Sequence, residues 1–374
     1  MSPESNPAPD FSQGLREPDT NLSPRSLQGV VSFVLLVVLG AVAALLPVPF
    51  VSLAPGPTFN TIGAYSGTDL ISIKERRTYP TTGHLDLVTV RETGGPEGGL
   101  DLFTAIRGWF DPAIEIVPRS VLYPPNATTE QVKQEHKEQF ADSQGEAVAA
   151  AMAYLGIPTT TKVIAGSVTL DGPSAKAIDA GDEIVRVNGK QIATPEDVLN
   201  SIRPLPIGSK VRLVLRTGTA TRTETVVTKE HPKHPGKSYI GIGIAAVAKP
   251  PFPVLFQLSS VGGPSAGMMF ALGLIDKLTP GAMTGGVFVA GTGTVDFKGK
   301  IGGIGGIDQK MVGARRSGAT LFLAPAENCD EVTGHIPAGL TVAKVSTLAD
   351  AVDAVTRFGR GQRTGLPSCP ASRS

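Results

Sequence analysis

The sequence predicts an α+β chain that begins with a transmembrane helix and continues into exported modules of strands and helices. Three observations carry that prediction. Residues 29–46, GVVSFVLLVVLGAVAALL, form an apolar run without a charge. Downstream, short runs of alternating apolar and polar residues mark half-buried strands, and stretches such as 128–154 carry a helical pattern instead. Gly (44) and Pro (31) are abundant among the 374 residues, which favours many turns over a bundle of long helices. Hydrophobic residues make up 41% and charged residues 18%, enough for a sizeable core. Lys plus Arg (34) nearly balances Asp plus Glu (33) and no dense basic stripe occurs, so nucleic acid is not an expected partner.

The apolar run is long enough to cross a hydrocarbon layer of about 30 Å as a helix, and its apolar character continues past Pro47 to Val51. Arg16 and Arg25 precede it, and the next basic residue is Lys74. Positive charge stays on the cytoplasmic side, so residues 1–25 are expected inside, disordered, and everything after about Ser52 outside. Ala41-Val42-Ala43 resembles a signal-peptide cleavage site. The leading region is long, however, and contains Glu4, Asp10, Glu17 and Asp19, which favours an uncleaved single-pass anchor over residues 26–51. Cys329 and Cys369 form no C-x-x-C pair; if exported they can form a disulfide or remain two unrelated thiols.

In the exported part, 52–125 hold strand-like runs such as Leu85 to Val90, and Thr128 or Thr129 caps a helix that Gly156-Ile157-Pro158 stops. Residues 160–230 read as strand, turn, helix, strand, turn, helix, strand, strand. Asn188-Gly189 is a tight hairpin turn, because both residues accept positive φ. Thr194 caps a helix with Pro195 at its first position. The stretch AGDEIVRVNGKQI, residues 180–192, resembles a PDZ domain as found in bacterial membrane-linked proteases. PDZ domains bind extended chain ends by strand addition. The usual carboxylate-binding loop is not evident; KVIAGSV, 162–168, is its nearest counterpart. Residues 230–250 read as a linker running into a strand, and the tail from Gly359 as disordered.

Two segments of the last domain carry chemistry. In GGPSAGMMFALGLIDKL, 262–278, a turn of small residues presents Ser265 just before a strongly apolar helix. Free N–H groups at a helix start, with the helix dipole, stabilise developing negative charge. Gly263, Pro264 and Ala266 therefore form the expected oxyanion and substrate-backbone site, and Gly267 is expected to let substrate backbone approach. In GGIGGIDQKMVGARRSG, 302–318, Asp308 is expected to cap a helix ending near Gly318, with Lys310 in its first turn. The dipole and burial both push such an amine toward its neutral form. A neutral lysine can deprotonate a serine hydroxyl.

Together, GGPSAG and GGIDQKMVGA, with VFVAGTGTVDFKGKIGGIGGI between them, resemble the proteolytic domain of Lon proteases over roughly residues 255–356. Carried over, the resemblance implies Ser265 as nucleophile, Lys310 as general base and Thr292, in AGTGTV, as the residue that orients the lysine. Gly291 departs from the Met common in that family. Anchor, PDZ and Lon-like domain in this order look like membrane-bound, Lon-like PDZ proteases of Gram-positive type. The resemblance also implies a homo-oligomer, possibly a hexamer. No G-x-x-x-x-G-K-[ST] motif occurs, so cleavage without ATP is expected.

Rival signals are weaker. Ser174 sits in a near copy of the Ser265 pentapeptide, but inside the PDZ-like turn with no apolar helix behind it. His84, His136, His231, His234 and His335 offer no Ser-His-Asp triad; His335 lies in the right domain but in a polar turn. His231 and His234 lack a third ligand nearby, so neither metal nor cofactor is expected. The resulting reading has six parts: a cytoplasmic segment (1–25), a transmembrane helix (26–51), an exported β-rich segment with a helix (52–158), a PDZ-like domain (159–235), a Lon-like protease domain (236–358) and a tail (359–374). The function expected is that of a membrane-anchored serine endopeptidase, its catalytic domain outside the cytoplasm, acting on protein or peptide substrates. The alternative is a membrane-tethered PDZ scaffold with an inactive protease domain.

Overall fold

Proline and the demand for strand partners set where the first helix ends. The computed structural model describes residues 24–45, 47–96, 98–124, 127–169, 171–218, 220–232, 234–258 and 261–370. Helix α1 (Pro24–Leu45) stops two residues before Pro47, which has no N–H to continue a helix. Strand β1 (Phe50–Asn60) follows almost at once. Residues 47–51, expected in the anchor, are thus largely strand. The described side chains of α1, residues 27–42, are exposed throughout. No helix among the described residues is long and apolar enough to cross a membrane. The expectation for residues 1–23 lies outside the described residues.

Strand β2 (His84–Thr93), helix α2 (Leu102–Phe110) and strand β3 (Glu115–Pro118) come next. Helix α3 (Thr129–Tyr154) starts with a capping box, the Thr128 hydroxyl accepting from the Gln131 N–H while the Gln131 side chain reaches back to the Thr128 N–H.

The PDZ-like block contains β4 (Thr160–Val168), β5 (Glu183–Val187), α4 (Pro195–Ile202), β6 (Lys210–Thr217), β7 (Ala220–Val227) and β8 (Ile242–Lys249). Asn188 and Gly189 both take positive φ in the turn after β5, and Thr194 caps α4 with Pro195 at its start. The antiparallel sheet runs β7-β6-β5-β4-β8. Its core gathers Val163, Ile184, Val198, Leu213 and Leu215. Three expectations are corrected here. Between β4 and β5, where a turn and a helix were expected, the described residues form turns and no helix. Of residues 230–250, expected as a linker running into a strand, the strand is β8, but it completes this sheet, and the described residues before it form a hairpin and not a linker. Residues 162–168 are not an open loop, because β4 is paired on both sides.

The last part of the chain gives α5 (Gly267–Leu278), β9 (Phe288–Gly291), α6 (Ile307–Arg316), β10 (Leu321–Pro325), β11 (Thr341–Val345) and α7 (Leu348–Gly359). Its sheet is ordered β11-β10-β9-β2-β1-β3. The first four strands are parallel, and β1 and β3 add antiparallel. Half of this sheet therefore comes from residues 50–118, so the segment expected at 52–158 shares one sheet with the last domain. The PDZ-like block is inserted between the two halves. Helices α3, α5 and α7 cover one face, where Phe140, Met152, Phe270, Leu272 and Phe358 pack with Leu85 and Val289. Helix α6 covers the other through Ile307, Met311 and Ala314, against Val88, Ala290 and Phe322.

The tail is also held. Cys369 is disulfide-bonded to Cys329, the Lys344 N–H donates to Pro367 O (2.8 Å), and Leu366 packs on the core. Residues 360–370 therefore belong to the domain, contrary to the expected disordered tail. Replacing Cys329 and Cys369 by Ser should lower stability by about 2–4 kcal/mol, as loss of a bridge of this span does. Chemical denaturation of oxidised wild type against the double variant checks this, with equal midpoints as the contrary result.

Candidate active site

The residues singled out in the sequence converge at the end of the parallel strands. Thr292 directly follows β9, Ser265 lies in the turn before α5, and Lys310 is the fourth residue of α6. Parallel sheets commonly place their sites at this carboxyl end. A cavity of about 900 Å³ opens there, lined by Ser265, Lys310, Gly262, Pro264, Ala266 and Gly303–Gly306 among others.

Lys310 is 4% exposed and Thr292 1% exposed. Lys310 Nζ donates to Thr292 Oγ1 at 3.3 Å. The Thr292 hydroxyl in turn donates to the Ser265 carbonyl at 3.1 Å. Because that proton is committed to the carbonyl, Thr292 can only accept from the amine. A neutral Lys310 is thereby held by one of its N–H groups, which leaves its lone pair free to point elsewhere. Burial lowers the Lys310 pKa from its ordinary 10.5 to about 8. That shift corresponds to about 3 kcal/mol against the charged amine.

The Ser265 turn is fixed from three sides. The Gly293 N–H donates to Ser265 O (2.9 Å), the Met268 N–H donates to Gly293 O (3.1 Å), and the Ser143 hydroxyl on α3 donates to Pro264 O (3.0 Å). The expected oxyanion donors need revision. The Gly263 N–H is used on His136 O at 2.9 Å, and Pro264 has no N–H. Among the described residues, the N–H groups of Ser265 and Ala266 have no partner, and both stand at the start of α5. Gly267 serves packing, not substrate approach: an added Cβ would lie 3.0 Å from Ser143 Oγ and 3.1 Å from Val295 Cγ1. A side chain at Gly291 would meet Met269 Sδ at 2.8 Å, so the neighbouring methionines fill that space.

Asp308 does not cap α6. Gly306, in the left-handed region at φ 67°, holds the cap position without a side-chain bond, and Asp308 pairs with His335 at 3.2 Å. Ser174 is structural, its hydroxyl donating to Ile240 O inside the PDZ-like block. Sequence reasoning missed His136 and Ser143. The available signal was Ser143 itself, a polar residue within the stripe of Phe140, Ala147 and Ala151 that α3 buries.

Residues 260–357 match the family model of the Lon protease (S16) C-terminal proteolytic domain, and 133–227 match that of the PDZ domain. The chain carries a Lon-type proteolytic domain and a PDZ domain. The Lon-type domain is 33% identical over 94 residues to Lon protease 1 of Bacillus subtilis, covering 24% of this chain and 12% of that protein. It is 33% identical over 93 residues to the Lon protease of Clostridioides difficile, covering 25% and 11%. The mitochondrial Lon protease homolog of Drosophila melanogaster is 35% identical over 91 residues, covering 24% and 9%. The chain thus spans only about a tenth of the length of these relatives. Among solved structures, the PDZ domain of the SdrC-like protein of Listeria monocytogenes is similar at 24% identity. It covers 22% of this chain and 87% of that one, with a TM-score of 0.21. That of Listeria innocua gives 23%, 22%, 92% and 0.21.

Two outcomes follow from the Lys310–Thr292 contact. Any peptidase activity of this site should rise with pH and level off above about 8, where the amine becomes neutral. Below that point it should fall about tenfold per unit. A flat profile between pH 6 and 9 contradicts this. Thr292→Val removes both hydroxyl contacts and should lower kcat by about 10–100-fold, as losing a hydrogen bond to a chargeable group does. KM should change little, because Thr292 lies behind the lysine.

Proposed function

We propose that this chain is a membrane-anchored serine endopeptidase that works through a Ser265–Lys310 dyad without ATP. The observation that carries the reading is a buried amine, with its pKa lowered, in the same cavity as a serine at a helix start. Lys310 takes the hydroxyl proton as Ser265 Oγ attacks the scissile carbonyl. The oxyanion forms toward the free N–H groups of Ser265 and Ala266. The C–N bond breaks, the leaving amine receives the proton from Lys310, and the acyl group stays on Ser265. Water, deprotonated by Lys310, then releases the acid and restores the hydroxyl.

Three further elements belong to the proposal. The uncharged run 29–46 supports a single membrane span with the catalytic domain outside the cytoplasm, and the Cys329–Cys369 bridge fits an oxidising compartment. Likeness to Lon proteases supports protein or peptide substrates and a homo-oligomeric ring. The PDZ domain holds substrate chain ends at the groove between edge strand β8 and helix α4. The short connection 240–241 that leads into β8 takes the role first given to 162–168.

Casein digestion without nucleotide tests the chemistry. Wild type should cleave, and Ser265→Ala and Lys310→Ala should each lose activity by about 10³-fold or more, because members of one catalytic unit fail together. Retained cleavage in either variant would sink the dyad, and a wild type that does not cleave would leave the PDZ scaffold as the better reading.

A further inference from the structure

Helix α2 is built inside out for a protein in water. Its small residues face the domain: Ala105 and Gly108 are buried, and a Cβ on Gly108 would lie 2.5 Å from Ile116 Cδ1. Its large residues face away. Phe103 is 71% exposed, Ile106 40%, Trp109 59% and Phe110 84%. At 100° per residue these four share one continuous face, and the exposed Arg107 borders it beside Phe103. Clustered exposed aromatics of this kind mark a surface that something covers.

The chain places this face beside the end of α1. Pro47 pairs with Asp101 and Val48 with Leu100, so α2 begins one strand spacing, about 4.8 Å, from the residues that follow α1. Helices α1 and α2 are also in contact, and Trp109 packs edge-on against Phe50 at the start of β1 (6.0 Å between rings). If residues 29–46 span the bilayer, α2 has to lie at the outer headgroup level. Trp and Phe favour that layer, and an arginine at the rim can reach lipid phosphates.

We infer that α2 is an interfacial membrane helix that inserts Phe103, Ile106, Trp109 and Phe110 into the outer leaflet beside the anchor. The inference rests on the membrane-anchored reading. It adds a second lipid contact, which fixes how the protease domain stands on the membrane where a single span would leave it free to swivel.

Trp109 is the chain's single tryptophan, so its emission reports this face alone. The full chain is reconstituted into phosphatidylcholine–phosphatidylglycerol vesicles, with and without bromine on the acyl chains, and floated on a density gradient. Flotation reports the anchor, and Trp109 emission reports α2. The expected result is a floating chain whose emission is blue-shifted, quenched by the brominated lipid and poorly quenched by acrylamide. Phe103→Ser combined with Phe110→Ser should still float but lose most of the brominated-lipid quenching. A floating chain whose Trp109 is open to acrylamide and blind to bromine overturns the inference while leaving the anchor intact. Shielding from both quenchers also overturns it, because a second copy or another protein then covers the face. A chain that does not float removes the anchor and the inference with it.

Discussion

A buried amine is the constraint on which the site depends. Lys310 is placed by α6, whose apolar side, Ile307, Met311 and Ala314, is sealed against the sheet. Sealing that side draws the lysine stem inward and strips its head of solvent. The cost falls on the charged form, and the amine moves toward the state in which it can accept a proton. Its hydrogen bond to Thr292 supplies direction where burial supplies only the neutral form. The domain thus gives up some stability at neutral pH. That loss is recovered between about pH 8 and 10.5, where the unfolded chain still binds the proton and the folded one does not.

The rest of the fold places Ser265 on the same cavity as that amine. Four parallel strands bring Thr292 to one sheet end, and the turn before α5 is tied to Gly293 just beyond it. Helix α3 closes the arrangement from outside with the Ser143 hydroxyl and the His136 carbonyl. It also contacts β8 of the PDZ block. One helix therefore touches both the strand edge proposed to hold a peptide and the turn that carries the serine.

What the sequence disclosed was local. The Thr128 and Thr194 caps, the Asn188-Gly189 turn and the place of Ser265 before an apolar helix are each set by neighbours in the chain. Pairing across distance was not legible. That β2 lies beside β9, or that β8 closes the PDZ sheet, depends on partners far apart in sequence, and alternation alone names no partner. The glycines misled in the same way. Gly263 and Gly267 look free to meet a substrate, yet His136 and Ser143 of α3 are what they meet. Asp308 has a capping residue's chemistry, but Gly306 took the left-handed position and the carboxylate turned to His335.

The proton on the Lys310 nitrogen can be followed without turnover. A ¹³C-lysine-labelled chain, with the Lys310 Cε resonance assigned through Lys310→Arg, can be titrated by NMR. A midpoint near 8 is the result this account requires. A midpoint near that of an ordinary exposed lysine, about 10.4, would mean that Lys310 stays charged at neutral pH and cannot act as the base.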